Sequence, residues 1–324
     1  MRTGGRWGAA LVAAMLAALP AAAQAPGAKS AVVDMRCNRD CLIGFARRYL
    51  AALVAHAPKS LPTAADLMFT ENNVVMPLGE GLWGTISKVA PTGFEAADPE
   101  TGQAAWFGVV EEHGQPAYLA LRIHVADGRI DEVETVVHRK TGLPAPFGDP
   151  AKVEHDAAFQ EVLPPEQRRQ RQRLQAIADS YFNTVEQNDG QVFAPFDDQC
   201  GRLENGISTT AGSPNGGNAA SIAQGCEAQF KLGLYRINKR VRERRYPLID
   251  EERGVVVASG FFDHANSFDS YKLTNGSTMK TALKWPNSIT LLEAFRIKDG
   301  KIHRIEAIFT YVPYFMHNPW EGRK

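Results

Sequence analysis

Two glutamates near the C-terminal end stand where they could share a proton. The run NSITLLEAFRIKDGKIHRIEAIF reads as two strands about an Asp299-Gly300 turn, because Asp-Gly between alternating apolar residues is a strong hairpin signal. A two-residue loop sets Lys298 opposite Lys301, Ile297 opposite Ile302, Phe295 opposite Arg304 and Glu293 opposite Glu306. Alternation then gathers Leu291, Glu293, Phe295, Ile297, Ile302, Arg304, Glu306 and Ile308 on one mostly apolar face. Like charges directly opposite repel, so Arg304 is expected to balance one carboxylate while burial keeps the other protonated. One ionised and one protonated carboxyl make a base and an acid. Without chemistry, the same cluster would be a buried ion network that holds the core.

A second group is His264, Tyr311, Tyr314 and His317. FFDH ends one expected strand and YVPYFMHNPW follows the last one, and site residues often sit at strand ends and in the loops beyond. Tyrosine can donate to a developing oxyanion, and histidine moves protons near neutral pH. Tyr181, Phe262, Phe295, Tyr311 and Trp320 would line a pocket suited to an apolar or aromatic substrate. The alternative is that these aromatics only cover the mouth of a core.

The elements that must hold these residues occur twice. A Pro- and Gly-rich stretch, taken as a linker over 141–166, separates a first domain at 36–140 from a second at 167–320. Each half opens with a helix. Leu42, Ala46, Tyr49, Leu50 and Leu53 make the apolar stripe of one, and Leu174, Ile177, Ala178, Tyr181, Phe182 and Val185 that of the other. Each helix is followed by a short phrase, FTENN or RLENG, and each half ends in a hairpin about Asp-Gly (Asp127-Gly128 and Asp299-Gly300). The period of about 170 residues marks a duplicated domain and not a solenoid. The paired carboxylates occur in the second copy alone: Leu121 stands at the position of Glu293, Glu132 at that of Arg304, and Glu134 at that of Glu306.

A helical segment followed by a curved antiparallel sheet is an α+β plan. It resembles the cone-shaped fold of nuclear transport factor 2 and of the SnoaL-type polyketide-cyclase and ketosteroid-isomerase-like proteins. The phrases TENNVVMPLGEGLWGT and FTYVPYFMHNPW are similar to a secreted bacterial and fungal family of unknown function with two such domains. That resemblance implies a cone enclosing a ligand pocket, with acid–base catalysis that needs no cofactor where catalysis occurs. It brings no catalytic residues of its own.

Residues 1–23 read as a signal peptide: Arg2 and Arg6 precede an apolar run, and small residues end at Ala23. The run is shorter than the ~20 residues of a spanning helix, so no membrane association is expected after removal, and the destination is the periplasm or the medium. The four cysteines cluster in pairs, predicting Cys37–Cys41 and Cys200–Cys226 disulfides. Their spacing does not suit zinc, and no metal is expected. Net charge is +0 over 324 residues, which gives no reason to expect a nucleic-acid partner. Gly79 to Gly84 spells G-x-G-x-x-G, but a poor helix follows, so it reads as a turn closing one end of a cone. Arg168 to Arg173 reads as a solvated basic face, and Asn275-Gly276-Ser277 as a sequon idle in a bacterium. No G-x-S-x-G, H-E-x-x-H or P-loop occurs. The resulting expectation is an exported, cofactor-free lyase, dehydratase or isomerase. A non-catalytic ligand carrier and an assembly module are the alternatives, and an intrachain pseudo-dimer of the two halves is expected.

Overall fold

The computed structural model describes residues 37–141, 145–210 and 225–322, so the expected leader at 1–23 lies outside the described residues. In the first half, α1 (Arg39–Val54) precedes β1 (Thr63–Glu71), β2 (Val74–Val75), the short α2 (Leu82–Thr85) and β3 (Ile86–Asp98). Strands β4 (Gln103–Glu112), β5 (Gln115–Ala126) and β6 (Arg129–Arg139) complete it. The second half repeats the order with α3 (Arg171–Gln187), β7 (Phe196–Glu204), β8 (Ile207–Ser208), α4 (Cys226–Lys231), β9 (Arg240–Asp250) and β10 (Val255–His264). A small separate hairpin, β11 (Ser270–Lys272) with β12 (Thr278–Lys280), comes before β13 (Asn287–Lys298) and β14 (Lys301–Val312).

Each half forms a six-stranded sheet, ordered β2-β1-β6-β5-β4-β3 and β8-β7-β14-β13-β10-β9. The sheets are antiparallel except that β1 runs parallel to β6 and β7 parallel to β14, a departure from the expected all-antiparallel plan. The helices bury the apolar stripes read from the sequence. Leu42, Tyr49 and Leu53 of α1 join Leu119, Leu121 and Val133 in one core, and Leu174, Tyr181 and Phe182 of α3 join Leu291, Phe295 and Ile305 in another. Asn38 caps α1, its side chain accepting from the Cys41 N–H at 3.0 Å. Both expected disulfides, Cys37–Cys41 and Cys200–Cys226, are formed.

The last hairpin corrects the register expected from its loop. Asp299 and Gly300 take positive φ (51° and 75°), as a two-residue Asp-Gly turn requires, and Lys298 pairs with Lys301 and Ile297 with Ile302. The next pair is Arg296 with Arg304, so His303 is an unpaired bulge residue. Beyond it Phe295 faces Ile305, Ala294 faces Glu306, and Glu293 faces Ala307. One extra residue turns everything after it to the opposite face, so Arg304, Glu306 and Ile308 leave the face of Glu293. The first half carries the same irregularity: Val125 pairs with Ile130 and His124 with Glu132, leaving Asp131 over.

A third core lies between the two sheets. Phe107, Val136, Leu248, Val257, Leu292 and Ile308 meet there. The expected linker enters this core, bringing Val153 and Phe159 into it. The Phe159 ring stacks on Phe94 at 4.4 Å, and Phe94 stacks on Phe107 at 4.8 Å. Ion pairs across the junction are reciprocal. Arg39, at the start of α1, pairs with Asp250 at the end of β9 (2.7 Å), and Arg171, at the start of α3, pairs with Asp98 at the end of β3 (2.6 Å). Removing the Phe159 ring leaves a cavity between the sheets, and Phe159→Ala is expected to cost about 3–5 kcal/mol in urea unfolding. A loss below about 1 kcal/mol would show that this segment is a spacer and not part of the core.

Candidate functional site

In the second half the helix and the concave face of the sheet leave a cavity of about 370 Å³. Its floor is a row across three strands. Glu204 on β7 pairs with Ala307 on β14, and Ala307 pairs with Glu293 on β13. Two strand spacings place the glutamate backbones about 10 Å apart. The small Ala307 side chain leaves the space between them open. Tyr181 of α3, Phe230 of α4, Phe262 of β10 and Phe309 and Tyr311 of β14 supply aromatic walls. Tyr271 and Met279 of the β11–β12 hairpin line the cavity from another side, and the Tyr271 hydroxyl donates to the Leu234 carbonyl at 2.5 Å.

Glu293 is 2 % exposed, and its Oε2 has no hydrogen-bond partner. Burial is the largest influence and pushes its carboxyl up to about 8. Glu204 adds to the push, while Arg202 and a hydrogen bond from Tyr181 oppose it. At neutral pH Glu293 is therefore a neutral acid. Arg202 is buried beside it on the same face of β7 as Glu204. It donates through Nη2 to Gln229 Oε1 at 2.8 Å and to the Tyr235 hydroxyl, and lies 3.6 Å from Glu204. The Tyr235 and Phe230 rings flank the guanidinium at 4.6 and 5.2 Å. Burial raises Tyr181 well above the ordinary tyrosine value, and it lifts Tyr311 to about 12, so both hydroxyls keep their protons.

Of the residues selected from sequence, Glu293, Tyr181, Phe262, His264 and Tyr311 line this cavity. His264 has both ring nitrogens engaged, at 2.9 Å from Asn287 Oδ1 and 2.8 Å from Asn238 Oδ1. Burial lowers its pKa, and the two contacts anchor the ring. Phe295 packs behind the cavity against Tyr181, ring centroids 5.1 Å apart. The bulge carries the other two members of the expected triad elsewhere. Glu306 lies buried between the sheets, 2.5 Å from His155 Nδ1, and burial pushes its carboxyl up against the pull of that histidine. Arg304 reaches Asp156 and the Gln199 carbonyl (2.7 Å). Tyr314 and His317 both contact Phe315 in the C-terminal segment, and Trp320 packs over Arg122.

The sequence pattern alone does not single out Arg202, Glu204, Gln229 and Tyr235. The signal available was the RLENG phrase itself. Aligned on strand pairing, Phe69 of FTENN occupies the position of Arg202, and a guanidinium in place of a core phenyl ring is a change packing does not call for. The first half shows the closed counterpart. Leu121 replaces Glu293, and at the open end Arg139 bonds Glu112 (2.5 Å) and Glu71 (3.0 Å). Trp83 of α2 fills the interior, donating from Nε1 to the Tyr49 hydroxyl at 3.1 Å. The G-x-G-x-x-G stretch forms this plug. Gly81 has φ 65°, and a Cβ there would stand 2.5 Å from Glu71 Oε2, which accepts from the Leu82 N–H.

Among the described residues, no cluster of three or more His, Cys, Asp or Glu side chains is arranged to hold a metal ion, and no helix is long and apolar enough to cross a membrane.

Comparison with known proteins finds one family match and several similar solved structures. A family described as Domain of unknown function (DUF8021) matches residues 167–309. No curated protein matches the chain. Among solved structures, similarity extends to a protein from Sphaerobacter thermophilus (18 % identity, TM-score 0.26, 30 % of this chain and 96 % of that one). An NTF2-like protein of unknown function from Cytophaga hutchinsonii is 12 % identical (TM-score 0.24, 30 % and 88 %). A provisionally named polyketide cyclase from Xanthomonas campestris is 17 % identical (TM-score 0.29, 43 % and 92 %).

Because Glu293 holds its proton in the folded state up to about 8 and an ordinary carboxyl loses it near 4.5, its contribution to stability is fully present below 4.5. That contribution is lost as pH rises to about 8. Urea unfolding of Glu293→Gln is expected to show a flatter decline across this window than the unchanged protein. Equal slopes would mean that Glu293 is ionised in the fold.

Proposed function

We propose that this chain is an exported enzyme that carries out cofactor-independent acid–base chemistry on a small apolar or aromatic molecule, as a lyase, dehydratase or isomerase. The observation that carries the reading is a neutral carboxyl, Glu293, with one oxygen free of hydrogen bonds, on the floor of an aromatic-walled cavity and across Ala307 from a second carboxylate. Carboxyls in environments that push them apart divide the roles of acid and base. Glu293, with the Tyr181 hydroxyl, donates to a substrate oxygen as negative charge develops there. Glu204, salt-bridged to Arg202, takes the proton. In this reading Glu204 takes the place of Glu306 in the expected carboxyl pair. The leader at 1–23 and the two disulfides support export. Matching strand order and reciprocal ion pairs support two duplicated domains, 36–140 and 167–320, joined by 141–166 and paired as a pseudo-dimer.

The carrier reading uses the same cavity without turnover, and the anchored ring of His264 favours it to the extent that one proton-transfer group is immobilised. An assembly module would use the sheets alone. Screening the purified protein by thermal shift against aromatic ketones and phenols, and following hits by mass spectrometry, separates the three. On a substrate found in this way, Glu293→Gln is expected to lower kcat roughly 10²–10³-fold, within the range of a lost proton donor. Glu306→Gln should leave it within about twofold, since that residue faces the other side of the sheet. Undiminished turnover by Glu293→Gln would refute the mechanism, and saturable binding without product would establish the carrier.

A further inference from the structure

The junction between the halves is finished differently on its two sides. On one, the 145–166 segment lays Phe159 on Phe94 and brings His155 to Glu306. On the side related to it by the repeat, Arg122 and Glu134 of the first half meet Arg245 of the second. The chain end returns over them. The Trp320 ring lies 4.6 Å from the Arg122 guanidinium carbon and 5.7 Å from that of Arg245. Glu134 accepts from Arg122 Nε at 2.8 Å and from Arg245 Nη2. A cleft of about 450 Å³ remains, with Arg122, Arg245, Trp320, Gln103, His124 and Glu132 in its lining.

Among the described residues lining the cleft, three buried polar atoms have no hydrogen-bond partner: Arg122 Nη2, Arg245 Nε and Trp320 Nε1. All three are donors. A buried donor left without an acceptor costs free energy, and each such atom calls for a missing partner. A carboxylate or phosphate group offers several lone pairs and no obligatory donor, and guanidinium groups match its geometry. We propose that this cleft is a second binding site, separate from the cone cavity, for a small oxyanion held by Arg122, Arg245 and the Trp320 indole N–H.

Glu132, 2.6 Å from Arg122, and Glu134 balance the two guanidinium charges, so unmatched donors drive binding more than surplus charge does. Affinity is therefore expected in the millimolar range, on the order of a few charge-assisted hydrogen bonds less the cost of association. The three atoms are shut from solvent, and the segment that carries Trp320 covers them. That segment is tied by Arg242 to the Met316 carbonyl (2.6 Å) and by the Asn318 N–H to Glu243 Oε2 (2.7 Å).

The test is calorimetric titration and thermal shift of the full chain with inorganic phosphate and, separately, with acetate, each against sodium chloride at equal ionic strength. A saturable response beyond that of chloride is expected, and the two arms tell whether a phosphate or a carboxylate is preferred. Trp320→Phe keeps the ring and deletes the N–H, and Arg245→Lys keeps the charge and deletes Nε–H. Each is expected to weaken binding about tenfold, as for one hydrogen bond to a charged partner. A response equal to that of chloride, or unchanged affinity in Trp320→Phe, overturns the proposal. Should Arg245→Lys fail to fold, Trp320→Phe decides alone, with its urea unfolding midpoint measured alongside, because the smaller ring also removes buried volume.

Discussion

The unpaired residue in each closing hairpin, His303 in one and Asp131 in the other, sets which side chains meet the cavity and which meet the other half. Strand side chains alternate, so a single unmatched residue reverses the facing of all that follow it. Before the bulge, Ile302 points into the cone core. After it, Ile305 does, while Glu306 and Ile308 turn to the junction. The cavity floor, the inter-sheet core and the separation of Glu293 from Glu306 all follow from that reversal.

The two sheets then place equivalent residues in opposite surroundings. Glu134 and Glu306 occupy the same position in their hairpins and both are buried at the junction. Burial pushes the Glu134 carboxyl up, but Arg245 and Arg122 together hold it below the ordinary carboxylate value. Glu306 meets His155 in place of two guanidinium groups and is raised. The difference comes from what covers each side: the segment joining the halves on one, the returning chain end on the other. Strands in matching order thus produce a junction with two unlike polar clusters.

The cones diverge by the same logic. The first is closed by a tryptophan and an Arg139–Glu112–Glu71 network, and its core positions stay apolar at Phe69 and Leu121. The second replaces these two with Arg202 and Glu293 and leaves space above them. Burying a guanidinium and a carboxyl beside unfilled volume works against stability, and such a departure is the expected mark of a site. The Cys200–Cys226 disulfide ties β7, which carries Arg202, to α4, which carries its partner Gln229.

Much of this was legible in the residues. Helical stripes, paired Asp-Gly turns and matching phrases predicted two similar halves, because periodicity and turn chemistry are local properties. Clustered cysteines predicted both disulfides, and residue type and position single out Tyr181, Glu293, Phe262, His264 and Tyr311, which line one cavity. The bulge at His303 was not legible, since nothing in KIHRIEAIF distinguishes a paired residue from an unpaired one. Nor was the role of RLENG, whose arginine becomes unusual only when strand pairing sets it at the position of Phe69. Local order along the chain set the elements, the turns and the stock of chemical groups, all governed by interactions between near neighbours. The tertiary structure alone decided which carboxyl lost its counter-charge and which face each residue joined. Burial and register depend on strands and segments far apart in the chain.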